Sequence, residues 1–289
     1  MHYIKIVERG IRMNKRSSFF DDIAKKVYIA AHRGTFGGNI PCNTLAAYDI
    51  ALNQGADIIE TDVFRTIDGE LFIFHTGCES RHLGKDFDIR QLTASEVKKL
   101  RYCNIDGSKT QYSVNSLDEC LEHLKGRCLI NLDRCWDIWE YVVKAVERHN
   151  MSDQIIFKSA PKQKYLDKIE EVAPNYMYMP IITEEDTCSE IIEKMNINYI
   201  GVELVFSSED MPVAQDEYIQ TMKKKGKILW GNGIIFDYKR QLAAGHNDDI
   251  SVVGKPDEGW GWLVKKGFDI IQTDWVGMLD DYLRKIGAR

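Results

Sequence analysis

The chain has 289 residues, of which 44% are hydrophobic and 28% charged, with a formal net charge of −6. That composition belongs to a soluble globular protein and excludes disordered and fibrous classes. The acidic balance argues against nucleic acid or an anionic membrane as a partner, since both select a basic face. A phosphate substrate stays open, because a divalent cation and one Arg invert the local field.

Residues 1–25 read as an N-terminal extension. Charges interrupt each short apolar run there, so the segment lacks the apolar core of a secretory signal. The expected location is therefore cytoplasmic. No later apolar run approaches the ~20 residues a membrane span needs, so no stable membrane insertion is expected. The Cys residues at 42, 78, 103, 120, 128, 135 and 188 are odd in number and lack C-x-x-C spacing, which reads as free thiols.

From Lys26 onward, short β-rich runs alternate with helical stretches, the pattern of βα units around a parallel sheet. Strands are predicted at 27–31, 57–63, 71–75, 128–133, 154–159, 176–180, 199–204, 227–231 and 269–273. Helices are predicted at 44–54, 116–125, 137–148, 162–172, 185–195 and 216–225, with Lys225-Gly226 and Lys266-Gly267 as left-handed stops. Nine strands are one too many for a (β/α)8 TIM barrel. The second and third are too close for a crossover helix, which takes a dozen or more residues. Thr66-Ile67-Asp68-Gly69 instead carries a hairpin turn signal, which predicts an antiparallel pair with Asp62 roughly opposite His75. Residues 78–113 form a polar insertion after that hairpin, with a short helix at 92–100 opened by a Thr93-x-x-Glu96 capping box. One domain over 1–289, a barrel with a small inserted subdomain, is expected.

Active sites of such barrels lie at the C-terminal ends of the strands. The first strand runs into His32-Arg33. Glu60 and Asp62 are two apart on the second, hence on one face. Two carboxylates side by side in a closed cavity are costly unless a cation neutralises them, and hard oxygen ligands suit Mg2+, Ca2+ or Mn2+. In Leu129-Ile-Asn-Leu-Asp133 the odd positions share a face, which makes Asp133 the third candidate ligand. His75 ends the third strand and is a candidate acid/base, since imidazole titrates near neutrality. Lys158, Glu203, Trp230, Asn232, Asp274 and Trp275 at later strand ends are weaker candidates. A Lys there holds a phosphate oxygen and an aromatic at the rim bounds a pocket.

Assembled, these residues resemble the glycerophosphodiester phosphodiesterases. The matching stretches are His32-Arg-Gly, Pro41-Cys-Asn-Thr44, Gly55 to Val63, Thr66 to Gly69, Leu71 to His75, Leu92 to Glu96, Ser116 to Leu121 and Gly267 to Asp274. The resemblance implies a barrel phosphodiesterase with a small inserted subdomain. It implies Glu60, Asp62 and Asp133 as ligands of one divalent cation, Mg2+ or Ca2+. It implies His32 and His75 as the acid/base pair and Arg33 as a phosphate contact. The implied reaction converts a glycerophosphodiester to glycerol 3-phosphate and an alcohol. The family pattern carries Glu at the position of Cys42, Asp at that of Thr76, and I-E-I-K where this chain has Leu132-Asp133-Arg134-Cys135. Lys158 or Arg134 stands in for the missing Lys in that reading. A related phosphodiesterase with another alcohol, or an eroded barrel that only binds phosphorylated ligands, are the competing readings.

Overall fold

The computed structural model describes residue 19 and residues 21–235 and 239–289. The extension expected over 1–25 lies outside the described residues except for 19 and 21–25. The described residues contain nine strands: β1 (Tyr28–His32), β2 (Ile58–Arg65), β3 (Leu71–Ile73), β4 (Leu129–Asp133), β5 (Ile155–Ser159), β6 (Met177–Thr183), β7 (Gly201–Val205), β8 (Ile228–Asn232) and β9 (Ile270–Thr273). Eight of them, all but β3, pair in parallel in the order β1-β9-β8-β7-β6-β5-β4-β2, and a β1–β2 pairing closes the ring. This is the (β/α)8 barrel the alternating pattern predicts.

A period of two runs around the ring and sorts its residues. Ile29, Ile59, Ile130, Leu132, Phe157, Val202, Leu204, Leu229 and Ile271 point outward into the main apolar cluster under the helices. Their neighbours Ala30, Ile58, Ile156, Met177, Met179, Ile228, Trp230 and Ile270 fill the lumen from the N-terminal end. Phe19 and Ile23 join that inner cluster, and the Phe19 ring meets Tyr28 edge-on at 5.2 Å. The residue at 19 and the stretch from 21 therefore plug the barrel floor. Apolar residues fill the lower lumen, and polar ones occupy the upper.

The helices follow local signals. Thr44 caps Leu45–Asn53 by accepting from the Ala47 amide, and Ser116 opens Leu117–Leu124 with a complete capping box. Gly267 ends Trp260–Lys266 with φ of 102°, a conformation glycine adopts without a Cβ penalty. The stretch expected at 185–195 is helical only over Ser189–Ile192.

β2 and β3 form the predicted antiparallel hairpin, with Val63 opposite Ile73 and Arg65 opposite Leu71. The register is shifted by one residue from expectation: the Phe74 amide donates to the Asp62 carbonyl at 3.0 Å, so Phe74, not His75, lies opposite Asp62. The insertion has a core of its own. Phe64, Phe72 and Phe74 from the hairpin pack with Leu83, Ile89, Ala94, Val97, Tyr102 and Val114. The Thr93/Glu96 capping box is present on Ala94–Val97, shorter than the span predicted.

Candidate active site

The upper lumen gathers what the parity predicts. His32 pairs in register with Glu60, and Asp62 with Asp133, across β1, β2 and β4. Glu60, Asp62 and Asp133 each offer a carboxylate oxygen, all within 4.8 Å of one another. Glu60 and Asp62 are 2% and 1% exposed, so water screens neither charge. Burial first, then the Asp62 charge, pushes Glu60 up to about 8. Burial, against the pull of Lys158 and with Asp62 and Glu203 adding, pushes Asp133 up to about 6. Like charges this close titrate upward unless a cation joins them. Asp133 Oδ1 is buried and accepts no hydrogen bond. An unsatisfied carboxylate oxygen beside two others fits a hard divalent cation, and the residues present pass that test.

The segment after β1 clamps the pair on β2. The Arg33 amide donates to Glu60 Oε2 at 2.9 Å, and its guanidinium Nε lies 3.0 Å from Asp62 Oδ2. Arg33 adopts a left-handed φ of 59°. Gly34 follows at φ 77°, where a Cβ would come within 2.7 Å of the Ala47 carbonyl carbon, so only glycine fits. Asn43 Nδ2 donates to Asp62 Oδ2 at 2.9 Å, and its Oδ1 accepts from the Thr61 hydroxyl at 3.0 Å. Asn43 sits inside a motif singled out from the sequence but was not among the candidate site residues.

The two imidazoles sit in opposite environments. His32 Nδ1 lies 2.8 Å from Asp274 Oδ1. Burial alone would lower its pKa, but the hydrogen bond and charge of Asp274, with Glu60, outweigh that and raise it. His75 is driven down to about 4 by burial, with Arg33, Arg134 and His32 acting in the same direction and Asp62 against. The nearest partner of its Nδ1 is Cys78 Sγ at 3.2 Å, not a carboxylate.

Lys158, Glu203, Trp230 and Asn232 lie deeper. Lys158 is 3% exposed; its Nζ donates to Glu203 Oε2 at 2.6 Å and sits 3.9 Å above the Trp230 ring. Trp230 has no exposed surface, and its indole donates to Gln272 Oε1 at 3.0 Å. It forms the floor under Lys158 rather than a rim. Asn232 Nδ2 holds the other Glu203 oxygen at 2.9 Å. At the mouth, Arg134 is exposed with φ of 55°, and Phe36 and Trp275 are 43% and 48% exposed.

The sequence matches the profile of the glycerophosphoryl diester phosphodiesterase family over residues 32–230, and that of a domain of unknown function over residues 178–283. A glycerophosphodiester phosphodiesterase of Caldanaerobacter subterraneus subsp. tengcongensis is 30% identical over 52% of this chain and 64% of its own length. Another from Bacillus altitudinis is 32% identical over 45% of this chain and 57% of its own. The matched stretch thus spans less than two thirds of either relative. Among solved structures, a glycerophosphoryl diester phosphodiesterase from Parabacteroides distasonis aligns over 92% of both chains with a TM-score of 0.76 and 17% identity. An Oleispira antarctica phosphodiesterase, solved with the product sn-glycerol-3-phosphate, aligns over 90% of this chain and 97% of its own, with a TM-score of 0.66 and 20% identity. These two likenesses are likenesses of fold.

Proposed function

The chain belongs to the glycerophosphoryl diester phosphodiesterase family, and we propose that it is a metal-dependent phosphodiesterase that converts glycerophosphodiesters to glycerol 3-phosphate and an alcohol by acid–base catalysis with His32 and His75. The observation that carries this reading is the convergence of three carboxylates, Glu60 and Asp62 buried and Asp133 partly so, beside His32 at a barrel mouth.

Glu60, Asp62 and Asp133 would hold Mg2+ or Ca2+, with Mn2+ the third fit to the same oxygen donors. Bound there, the cation would polarise a non-bridging phosphate oxygen. Arg33 faces the same phosphate from the β1 end. Lys158 and Trp230 support the site from below.

His75, kept neutral by burial and neighbouring cations, takes the proton of the attacking hydroxyl as the new P–O bond forms. His32, kept protonated by Asp274, gives its proton to the departing alkoxide as the old P–O bond breaks. In this reading the substrate's own neighbouring hydroxyl attacks first. The resulting cyclic phosphate is opened by water, with the two rings exchanging roles: His32 takes a proton from water and His75 returns one to the ring oxygen.

Substitution His32→Ala or His75→Ala should each lower kcat by about 10²–10⁴-fold, and chelation should abolish turnover. The assay is a panel of glycerophosphodiesters with Mg2+, Ca2+ and Mn2+, products identified by phosphorus NMR. Full activity in either variant overturns the mechanism. Cys42, Thr76 and Asp133 favour as the second reading a related diesterase with a different alcohol, which the same panel identifies. Among the described residues no helix is long and apolar enough to cross a membrane. The seven cysteines form no disulfide, which supports a reducing, cytoplasmic location.

A further inference from the structure

Outside the carboxylate cluster, the buried acid Asp248 has no place in the mechanism above. Asp248 opens the helix Asp248–Val252 and is 3% exposed. Its carboxylate accepts three hydrogen bonds: from the Trp260 indole at 2.7 Å, from the Thr273 hydroxyl at 2.8 Å and from the Asp274 amide at 2.8 Å. Its own amide donates to the Gly233 carbonyl at 2.7 Å, tying the helix to the end of β8. Gly233 leaves the room for this: a Cβ there would fall 2.7 Å from Asp248 Oδ1.

A burial site this closed is an expensive place for a carboxylate, so its contacts are informative. Two of the three donors are Thr273 and Asp274, the end of β9. Asp274 is only a half-buried residue just past the strand, yet its Oδ1 must stay 2.8 Å from His32 Nδ1. The ring needs that bond to present Nε2, not Nδ1, to the reacting phosphate. Asp248 fixes the backbone from which Asp274 reaches. Every residue of this brace lies within the 178–283 stretch matched by the domain of unknown function, while His32 opens the stretch matched by the phosphodiesterase family.

We propose that Asp248 is a positioning residue for His32, acting through Asp274, and that this is what the 248–260 segment contributes to the reaction site. The inference takes His32 as an acid/base group from the reading above. Asp248→Asn keeps the volume but turns one acceptor into a donor, facing either the Asp274 amide or the Thr273 and Trp260 donors. Two readouts separate a positioning role from a structural one. In the phosphodiesterase assay, kcat should fall about 10–100-fold while KM stays within about threefold, and Asp274→Asn should reproduce that split. In nitrogen NMR of the full-length protein without substrate, the His32 signature of a protonated Nδ1 should give way to exchanging tautomers in both variants.

A folded Asp248→Asn protein with wild-type kcat and an unchanged His32 signal overturns the inference. So does one that loses thermal stability while kcat per folded molecule and the His32 signal stay put. If Asp248→Asn does not fold, Trp260→Phe removes one of the three donors and keeps the ring, and the same two readouts apply to it. If wild-type protein turns over no diester, the phosphodiesterase reading fails, and the NMR comparison alone still decides whether Asp248 governs His32.

Discussion

At the scale of residues, the site pairs charges that are costly to bury with partners that offset the cost. The carboxylate trio has an internal signature. Both Glu60 and Asp133 are displaced upward, to about 8 and about 6. An acid raised in the fold contributes stability below its ordinary pKa and loses it as pH rises through the folded value. Metal-free protein should therefore lose melting temperature as pH rises from about 4 to about 8. Added Ca2+ or Mg2+ should flatten that slope, because the cation favours the ionised forms. Melting curves with chelator and with cation across this range check it, and Glu60→Gln should shrink the difference between them. Identical slopes would mean that no cation binds there. Lys158 makes a second case. Its removal as Lys158→Met leaves Glu203 buried and held only by Asn232, which should cost about 3–5 kcal/mol in urea unfolding. Lys158→Met combined with Glu203→Gln should recover most of it. Unchanged stability with a raised KM would instead put Lys158 on the phosphate. The sequence made most of these residues legible, because a period of two sorts inward from outward along an apolar strand. What it could not show was partnership. Lys158 reads as a free cation at a strand end until Glu203, 45 residues later, turns out to hold its Nζ. Asp274 was one polar residue among several, and Asp248 carried no signal at all, since both are defined by contacts between distant segments.

At the scale of elements, the strand count and the hairpin followed from turn chemistry and spacing, and all nine predicted strands are present within a residue or three at their ends. The shifted register of β2 and β3 had a local cause. Thr66 Oγ1 donates to Asp68 Oδ1 at 2.7 Å and the Thr66 amide to the Glu70 carbonyl at 2.9 Å, so the turn spans Thr66 to Glu70 rather than closing tightly on Asp68-Gly69. The insertion was underestimated, because its apolar residues are spaced irregularly and meet only once Phe64, Phe72 and Phe74 cover them. His82 lies in that small core, edge-on to Phe74 at 6.3 Å and near Tyr102 at 6.5 Å. Burial, then the Arg81 and Arg33 charges, lowers it from 6.5 to about 4. A His lowered in the fold contributes stability above its ordinary pKa and loses it as pH falls toward the folded value. Amide protection in the insertion should drop between pH 7 and 5 while the barrel strands keep theirs. His82→Phe should remove that drop; persistence of the drop in this variant would assign it to another group.

At the scale of the molecule, the ring of eight strands is closed by β1 and β2, the two that also carry His32, Glu60 and Asp62. The barrel therefore completes its hydrogen bonding and its candidate metal site at one seam. β3 stands outside that ring, paired to β2 and bridged at Phe72 to Ser116, and it leads into His75. The strands that hold the carboxylates close without it. Changes of length or composition beyond Ile73 can thus remodel the wall over the mouth, and shift His75 with it, while the oxygens on β2 and β4 keep their places. A lineage built on this plan would inherit its candidate cation site as a fixed part and the wall over the mouth as an exchangeable one.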